Sequence, residues 1–480
     1  MLSIKNLYKN YFITIFLGFY LLVALVNDGF MGTDEYWNAM VKYLPAQTSK
    51  ITELVAKDDV KSPLQVMPMF AGAQLALKMN ITHPYDQYRF TILFLTIINL
   101  LVFILALNLI AKYSLFTDPN HFMIFVGLMT FYFASAFALT RPMFEAQAAP
   151  WILLSLGFYL KYEQSKTAKD LILSTLAVSI AFVLRQQAGI GALTLPILLL
   201  WKRDLKGLLF CAVSGLIFFI LAGIPDLLLR GSFHHSLLAV TTYNIDHGHE
   251  YGNGSILFYP LLLLGMSFFP ILITKDFNKA FLLSVLKKNT FSVLFIFFFV
   301  ALHTYFPQKF ERFLVPIIPL FLILLTPFIA HLLKHFKKYK IRLLCLFILN
   351  STILTAAAFQ PSQGNIIKMA LFIDQHPKIE KIFNFESTIE WLPEKFISKN
   401  SQFKIIPISS NSLADIDPSL CENIIVINEF LYEQKKALLS AYDVKAKFGV
   451  NFIESLAYRF NKKNNIRRSP LIVLGCSEPR

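Results

Sequence analysis

Residues 30–38, Phe-Met-Gly-Thr-Asp-Glu-Tyr-Trp-Asn, set two adjacent carboxylates, Asp34 and Glu35, directly after the first long apolar run of the chain. Charge near hydrocarbon costs roughly 2.5–3.5 kcal/mol per residue at a helix centre on insertion scales, so an acid pair at the rim of such a run is a functional candidate by default. A carboxylate there has the chemistry of a general base that takes a proton from a hydroxyl. Three cations, Arg185, Lys309 and Arg312, stand at the ends of later apolar runs. Guanidinium matches the paired oxygens of a phosphate, and an ammonium adds a point charge. A base with phosphate-holding cations suits transfer of a group from a phosphate-linked donor to a hydroxyl. Asp34 is the base in this reading, and Glu35 is the neighbour that orients acceptor hydroxyls or substitutes for it. The bland alternatives are a solvated helix cap for the acids and snorkelling side chains for the cations.

The elements that must position these groups are membrane spans. Of 480 residues, 55% are hydrophobic, only 16% are charged and 48 are Phe, where a soluble domain carries about 25% charge. The net charge of +15 lies in short loops and not on one folded face, which excludes a nucleic-acid partner. Lys5 and Lys9 precede the apolar run 11–26; the next residues, Asn27, Asp28, Gly29 and Phe30, form no small-x-small cleavage site, so the segment is expected to remain as an anchor. Further runs follow at 90–110, 122–139, 148–160, 171–184, 188–201, 208–224, 256–273, 291–303, 313–333 and 341–359. The pattern predicts about eleven spans, several of them shorter than the roughly 20 residues of a perpendicular helix.

Lys and Arg in short loops favour the cytoplasm. With the N-terminus inside, every cytoplasmic loop is basic: Lys112; Lys161, Lys166 and Lys169; Lys202, Arg203 and Lys206; Lys275, Lys279, Lys287 and Lys288; Lys334, Lys337, Lys338, Lys340 and Arg342. The opposite loops hold few charges of mixed sign, and these include every group singled out above. The site is therefore expected on the extracytoplasmic face, with residues 360–480 on the same side. From about Pro361 the apolar runs shorten to strand length, at 403–408, 423–430 and 471–475, with a polar helical stretch at 431–442. Residues 1–359 thus read as a mainly α, polytopic bundle and residues 360–480 as a small exported α/β domain with room for its own core. Cys211 and Cys345 fall inside spans and read as packing residues; Cys421 and Cys476 fall in the exported part, where an oxidising compartment permits a disulfide.

Other polar groups are equally marked. Arg141 and Glu145, spaced i, i+4, either contact sugar or acceptor or pair with one another on a helix. Glu311 sits beside Lys309 and Arg312, placed to bridge them or to meet acceptor. The segment 226–255 carries His234, His235, Asp246, His247, His249, Glu250 and Tyr251 before a Gly-punctuated turn. His247-x-His249 matches no standard zinc spacing and has no thiol nearby; contacts of His247, His249 and Tyr251 with sugar or phosphate, or a plain solvated loop, are the readings. No G-x-G-x-x-G or P-loop occurs, which speaks against a nucleotide-sugar domain and for a lipid-phosphate donor.

The order of these motifs resembles a known family. Asp34-Glu35-Tyr36-Trp37 after the first span, Leu139-Thr140-Arg141-Pro142-Met143-Phe144-Glu145 after the third, Arg185, Tyr251-Gly252, and Pro307-Gln308-Lys309-Phe310-Glu311-Arg312-Phe313-Leu314 look like the GT-C mannosyltransferases of glycosyltransferase family 22, which build GPI anchors and N-glycan precursors. The likeness runs over about residues 1–359. It departs at Gly32-Thr33, where the family has His-Pro, and at Gln308 and Phe310, where it has His and a carboxylate. The resemblance implies inverting transfer of a hexose, mannose above all, from a polyprenyl-phosphate donor to a lipid-linked or other extracytoplasmic acceptor, with Asp34 as base and no metal or cofactor. It implies a site facing the periplasm of a bacterial inner membrane, or the ER lumen in a eukaryote. A transporter or flippase for lipid-linked sugars and an inactive membrane scaffold are the competing classes; the first would show internal repeats, and none is evident.

Overall fold

The computed structural model describes residues 4–32, 35–36, 61–113, 115–116, 118–250, 252, 254–389, 392–397, 403–413, 417, 421–462, 465 and 468–476. Asp34 and Tyr251 lie outside them. The chain runs through α1 (Ile4–Val26), α2 (Pro63–Lys78), α3 (Pro84–Lys112), α4 (Pro119–Phe131), α5 (Ala136–Thr140), α6 (Phe144–Ser165) and α7 (Ala168–Leu184). A 3-10 turn (Gln186–Leu193) leads to α8 (Thr194–Trp201), α9 (Leu205–Arg230), α10 (His235–His247), α11 (Phe258–Met266), α12 (Phe269–Leu272), α13 (Lys279–Lys288) and α14 (Thr290–Tyr305). A second 3-10 turn (Glu311–Ile317) opens α15 (Ile318–Lys334), followed by α16 (Phe336–Phe359) and α17 (Gly364–Gln375).

Each apolar run of the sequence is helical, but several are broken. Among the described residues four helical stretches are long and apolar enough to cross a membrane: Pro84–Lys112, Leu205–Arg230, Glu311–Lys334 and Phe336–Gln375. Lys279–Lys288 and Thr290–Tyr305, bent by 88°, make a fifth if they are one span. The break after α4 shows how a gap inside an apolar run is tolerated. Backbone polar groups in hydrocarbon must find partners within the protein. Asn350 of α16 supplies them: its Oδ1 accepts from Phe133 N at 2.9 Å and its Nδ2 donates to Phe131 O at 2.6 Å. Tyr132 Oη, at the same break, donates to Met266 O at 2.6 Å. α2 was not among the expected elements; it is a 16-residue helix with Pro68 inside it and reads as too short and too interrupted for a span.

The C-terminal part is a five-stranded sheet, β1 (Lys381–Phe385), β2 (Lys404–Ile408), β3 (Asn423–Asn428), β4 (Tyr442–Phe448) and β5 (Leu471–Cys476), in the order β2-β1-β3-β5-β4. β1 is parallel to β2 and β3; β5 runs antiparallel to β3 and β4. Two helices, α18 (Glu429–Lys435) and α19 (Phe452–Phe460), connect the later strands. Strand alternation sends one set of side chains (Phe383, Phe385, Ile425, Ile427, Ile472, Leu474) into a core of the sheet's own. The other set (Ile382, Ile424, Val426, Leu471, Val473) joins Ala24, Phe30, Tyr36 and Tyr88 of the bundle in a shared core. Cys421 and Cys476 are joined, with Cα atoms 4.9 Å apart, tying the end of β5 to the residues before β3. Cys211 is buried as expected; Cys345 is exposed on α16, so the expectation of a packing role fails for it.

Candidate active site

The site forms where α1 ends. Asn27 turns the chain: its Oδ1 accepts from Gly29 N at 3.1 Å, and its Nδ2 donates to Ala357 O and Ala358 O at 2.8 and 3.0 Å, fastening the loop to the end of α16. Gly29 must be glycine, because a Cβ there would lie 2.4 Å from Ser362 N. Beyond this turn Phe30, Tyr36, Tyr85 and Tyr88 surround Phe396, a fully buried residue of the C-terminal part, with ring centroids 5.2–6.0 Å from it. Lys395 N donates to Tyr36 Oη at 3.1 Å. Phe30 and Tyr36, on either side of the acid pair in sequence, are thus held between the bundle and the C-terminal part.

Glu35 is 1% exposed. It accepts from Met31 N at 2.8 Å and from Tyr88 Oη at 3.0 Å, and lies 3.9 Å from Arg141 Nη1. Burial pushes its carboxyl up from the ordinary range, opposed by the Arg141 charge and the Met31 N–H. A carboxylate so enclosed holds the loop's shape; Asp34 lies outside the described residues. Arg141, wholly buried, donates through Nη2 to Asn27 O at 2.6 Å and through Nη1 to Gly29 O.

The expected pairing of Arg141 with Glu145 does not form. Arg141 and Met143 are extended, with ψ of 145° and 150°, so the two side chains stand on either side of a helix break and not one turn apart. Glu145, in the first turn of α6, instead meets Arg185 Nη2 at 3.2 Å. Arg185 caps α7 in an extended conformation, and Gln65 of α2 donates to the neighbouring Leu184 O at 2.9 Å. Gln65 is a positioning residue that sequence reasoning missed, since nothing marks it before α2 is recognised.

Arg185 and Arg312 converge. Their guanidinium carbons lie 4.9 and 5.5 Å from the centroid of one ring, Phe313, and a Cβ on Gly32 would come within 2.8 Å of Arg312 Nη1. Arg312 therefore stands against the backbone two residues before Asp34, and Gly32 is what allows that approach. Lys309 lies over the Tyr259 ring, its Nζ 5.7 Å from the ring centroid. Its ammonium donates to His303 O and Thr304 O at 2.8 Å each and to Phe306 O, capping the C-terminus of α14. Burial lowers its pKa from the ordinary lysine value. Glu311 is exposed and, among the described residues, forms no ion pair with Lys309 or Arg312.

The histidine segment is superficial. His247 Nδ1 lies 2.8 Å from Glu250 Oε1, both exposed, and that hydrogen bond raises the imidazole pKa above its usual value. His249 is also exposed. Among the described residues no three His, Cys, Asp or Glu side chains gather closely enough to hold a metal.

The architecture is that of a multi-pass membrane protein with acid–guanidinium pairs buried at one end of its bundle. The chain matches the Alg9-like mannosyltransferase family over residues 11–387 and belongs to it; it is a glycosyltransferase. The match continues past residue 359 through α17 and β1, further than the motifs alone reach. No curated protein matches the chain significantly. Its fold is similar to that of ArnT from Cupriavidus metallidurans, solved bound to undecaprenyl phosphate (TM-score 0.52, 11% identity, covering 98% of this chain and 99% of that one) and in the apo state (0.54, 12%, 100% of both).

Proposed function

We propose that the chain moves a hexose, mannose by its family, from a polyprenyl-phosphate donor to a hydroxyl of a lipid-linked or other acceptor on the extracytoplasmic side of the membrane. In this reading residues 1–359 form the transferase domain and 360–480 a domain that braces its catalytic loop. Asp34 takes the acceptor proton as the acceptor oxygen attacks the anomeric carbon from the face opposite the phosphate; the carbon–oxygen bond to phosphate breaks, and its electron pair leaves with the phosphate. Arg185 and Arg312 hold that leaving group. Glu35, Arg141 and Glu145 keep the loop and the cations in register, and Lys309 fastens the strand of chain leading to Arg312. Exposed Glu311, His247 and His249, together with Tyr251, remain to meet the acceptor.

The observation carrying this reading is the meeting of two guanidiniums on one aromatic ring, Phe313, with that of Arg312 against Gly32. The lipid phosphate bound to the structurally similar ArnT supports the donor class. The test uses purified full-length protein with labelled mannosyl-phospho-polyprenol and a membrane extract. Asp34→Asn should lower turnover at least about a hundredfold, as loss of a general base does, with donor binding kept. Arg312→Ala should weaken donor binding. Normal transfer by Asp34→Asn would remove the base assignment.

A further inference from the structure

A cavity of about 240 Å³ lies between α10, α14 and the two 3-10 turns, with Gln186, Gln187, Thr241, Asn244, His303 and Gln308 on its walls. Apolar surface makes up most of its wall, and these amides, Thr241 and His303 are set into it. His303 carries the argument. It is 3% exposed, and Nδ1 lies 2.8 Å from Phe299 O. A carbonyl only accepts, so Nδ1 bears the proton and the neutral ring presents Nε2 as an acceptor. Nε2 has no partner. A buried acceptor left without a hydrogen bond costs about 1–3 kcal/mol; Nε2 is closed off from the cavity, so a ligand that donates to it must displace the side chains between them. Phe313 also lines the cavity and packs 5.5 Å from the His303 ring. That is the ring on which Arg185 and Arg312 lie, so the cavity adjoins the cation pair. Gln186 follows Arg185 directly.

We propose that this cavity receives the hexose ring of the donor, with His303 Nε2 accepting a hydrogen bond from a ring hydroxyl and the amides serving the others. The inference rests on the proposed function and names the sugar subsite within it. A polyhydroxylated ring could also belong to the acceptor; adjacency to the phosphate-holding cations favours the donor. The test measures binding of mannosyl-phospho-polyprenol and of sugar-free polyprenyl phosphate to the full chain, wild type and His303→Phe, which keeps a flat ring and removes the acceptor. The expected result is about tenfold weaker binding of the sugar-bearing donor, as for one lost hydrogen bond, with the sugar-free carrier unchanged. Gln308→Leu, in the loop beside the cavity, should act in the same direction and guards against a folding defect in the first variant. Equal loss for both ligands, or loss for neither, overturns the assignment; so does a raised acceptor KM with unchanged donor affinity. Wild type that binds neither lipid refutes the proposed function itself.

A separate observation concerns α19. Phe452, Ile453, Leu456 and Phe460 are 56%, 43%, 43% and 83% exposed, and at about 100° per residue they share under a third of the helix surface. Tyr458, on the opposite side, is buried. The apolar stripe of this helix faces away from the protein. Its first turn is fastened to the end of α16, where Phe452 N donates to Gln360 Oε1 at 2.6 Å, one residue beyond the outward-facing Phe359. We infer that α19 lies in the membrane interface at the end of α16, its stripe among lipid acyl chains and Arg459 at headgroup level. Leu456→Trp in vesicles of ordinary and bromine-labelled phosphatidylcholine should add emission that bromolipid quenches. Added emission quenched by aqueous iodide, or by neither agent, overturns the inference.

Discussion

At the residue scale, the site depends on charges that face each other where water does not reach. Glu35 and Arg141 are both fully enclosed. Removing one partner of a buried pair leaves an uncompensated charge and costs about 3–5 kcal/mol. Glu35→Ala and Arg141→Ala should each lower stability by that order, read as thermal unfolding in detergent, and the double variant should lose less than their sum. Additivity would show that the two do not interact. His247 offers a check on charge outside the bundle. A raised imidazole pKa means its pairing with Glu250 contributes fully below the unfolded value and is lost as pH rises through the folded one. Its titration by NMR should have a midpoint above the usual 6.5 or so, and Glu250→Gln should return it to that value.

At the element scale, polar side chains repair helices that apolar sequence alone leaves incomplete. Asn350 bridges the gap after α4, Gln65 serves the end of α7, and Lys309 serves the end of α14. Asn350→Leu keeps the side chain's size but strips two backbone groups, Phe133 N–H and Phe131 C=O, of their partner at a break in an apolar run. It should cost about 1–3 kcal/mol for each, seen as a lowered unfolding midpoint, whereas a neighbouring exposed change such as Phe347→Leu should not. Lys309 is instructive about what spacing conveys. Its place at a span end marks it as a candidate phosphate ligand, and the same place at a helix C-terminus, rich in unsatisfied carbonyls, lets its ammonium act as a cap.

At the scale of the whole molecule, the sheet is part of the site's support. Phe396 enters the aromatic cluster that holds the loop around Glu35. Phe396→Ala should cost about 3–5 kcal/mol, as for other buried Phe truncations, and should lower transfer although Phe396 touches no reacting group. Unchanged turnover with lowered stability would confine its role to packing.

Much of this was legible in one dimension. Composition and runs of hydropathy determine a helical membrane bundle with a C-terminal α/β part, because hydrocarbon admits only backbones that satisfy themselves. Motif order determines the family, and the position of Asp34-Glu35, Arg185 and Arg312 at span ends marks them as the candidate groups. Only tertiary structure decided the partners. Arg141 takes Glu35 and not Glu145, Arg185 takes Glu145, and Lys309 turns back to the helix that precedes it, since the choice among buried charges depends on helix breaks and on which ends meet in space. The unpartnered Nε2 of His303 likewise appears only once α10 and α14 enclose a cavity, for a single histidine in an apolar run looks the same whether its second nitrogen is satisfied or waiting.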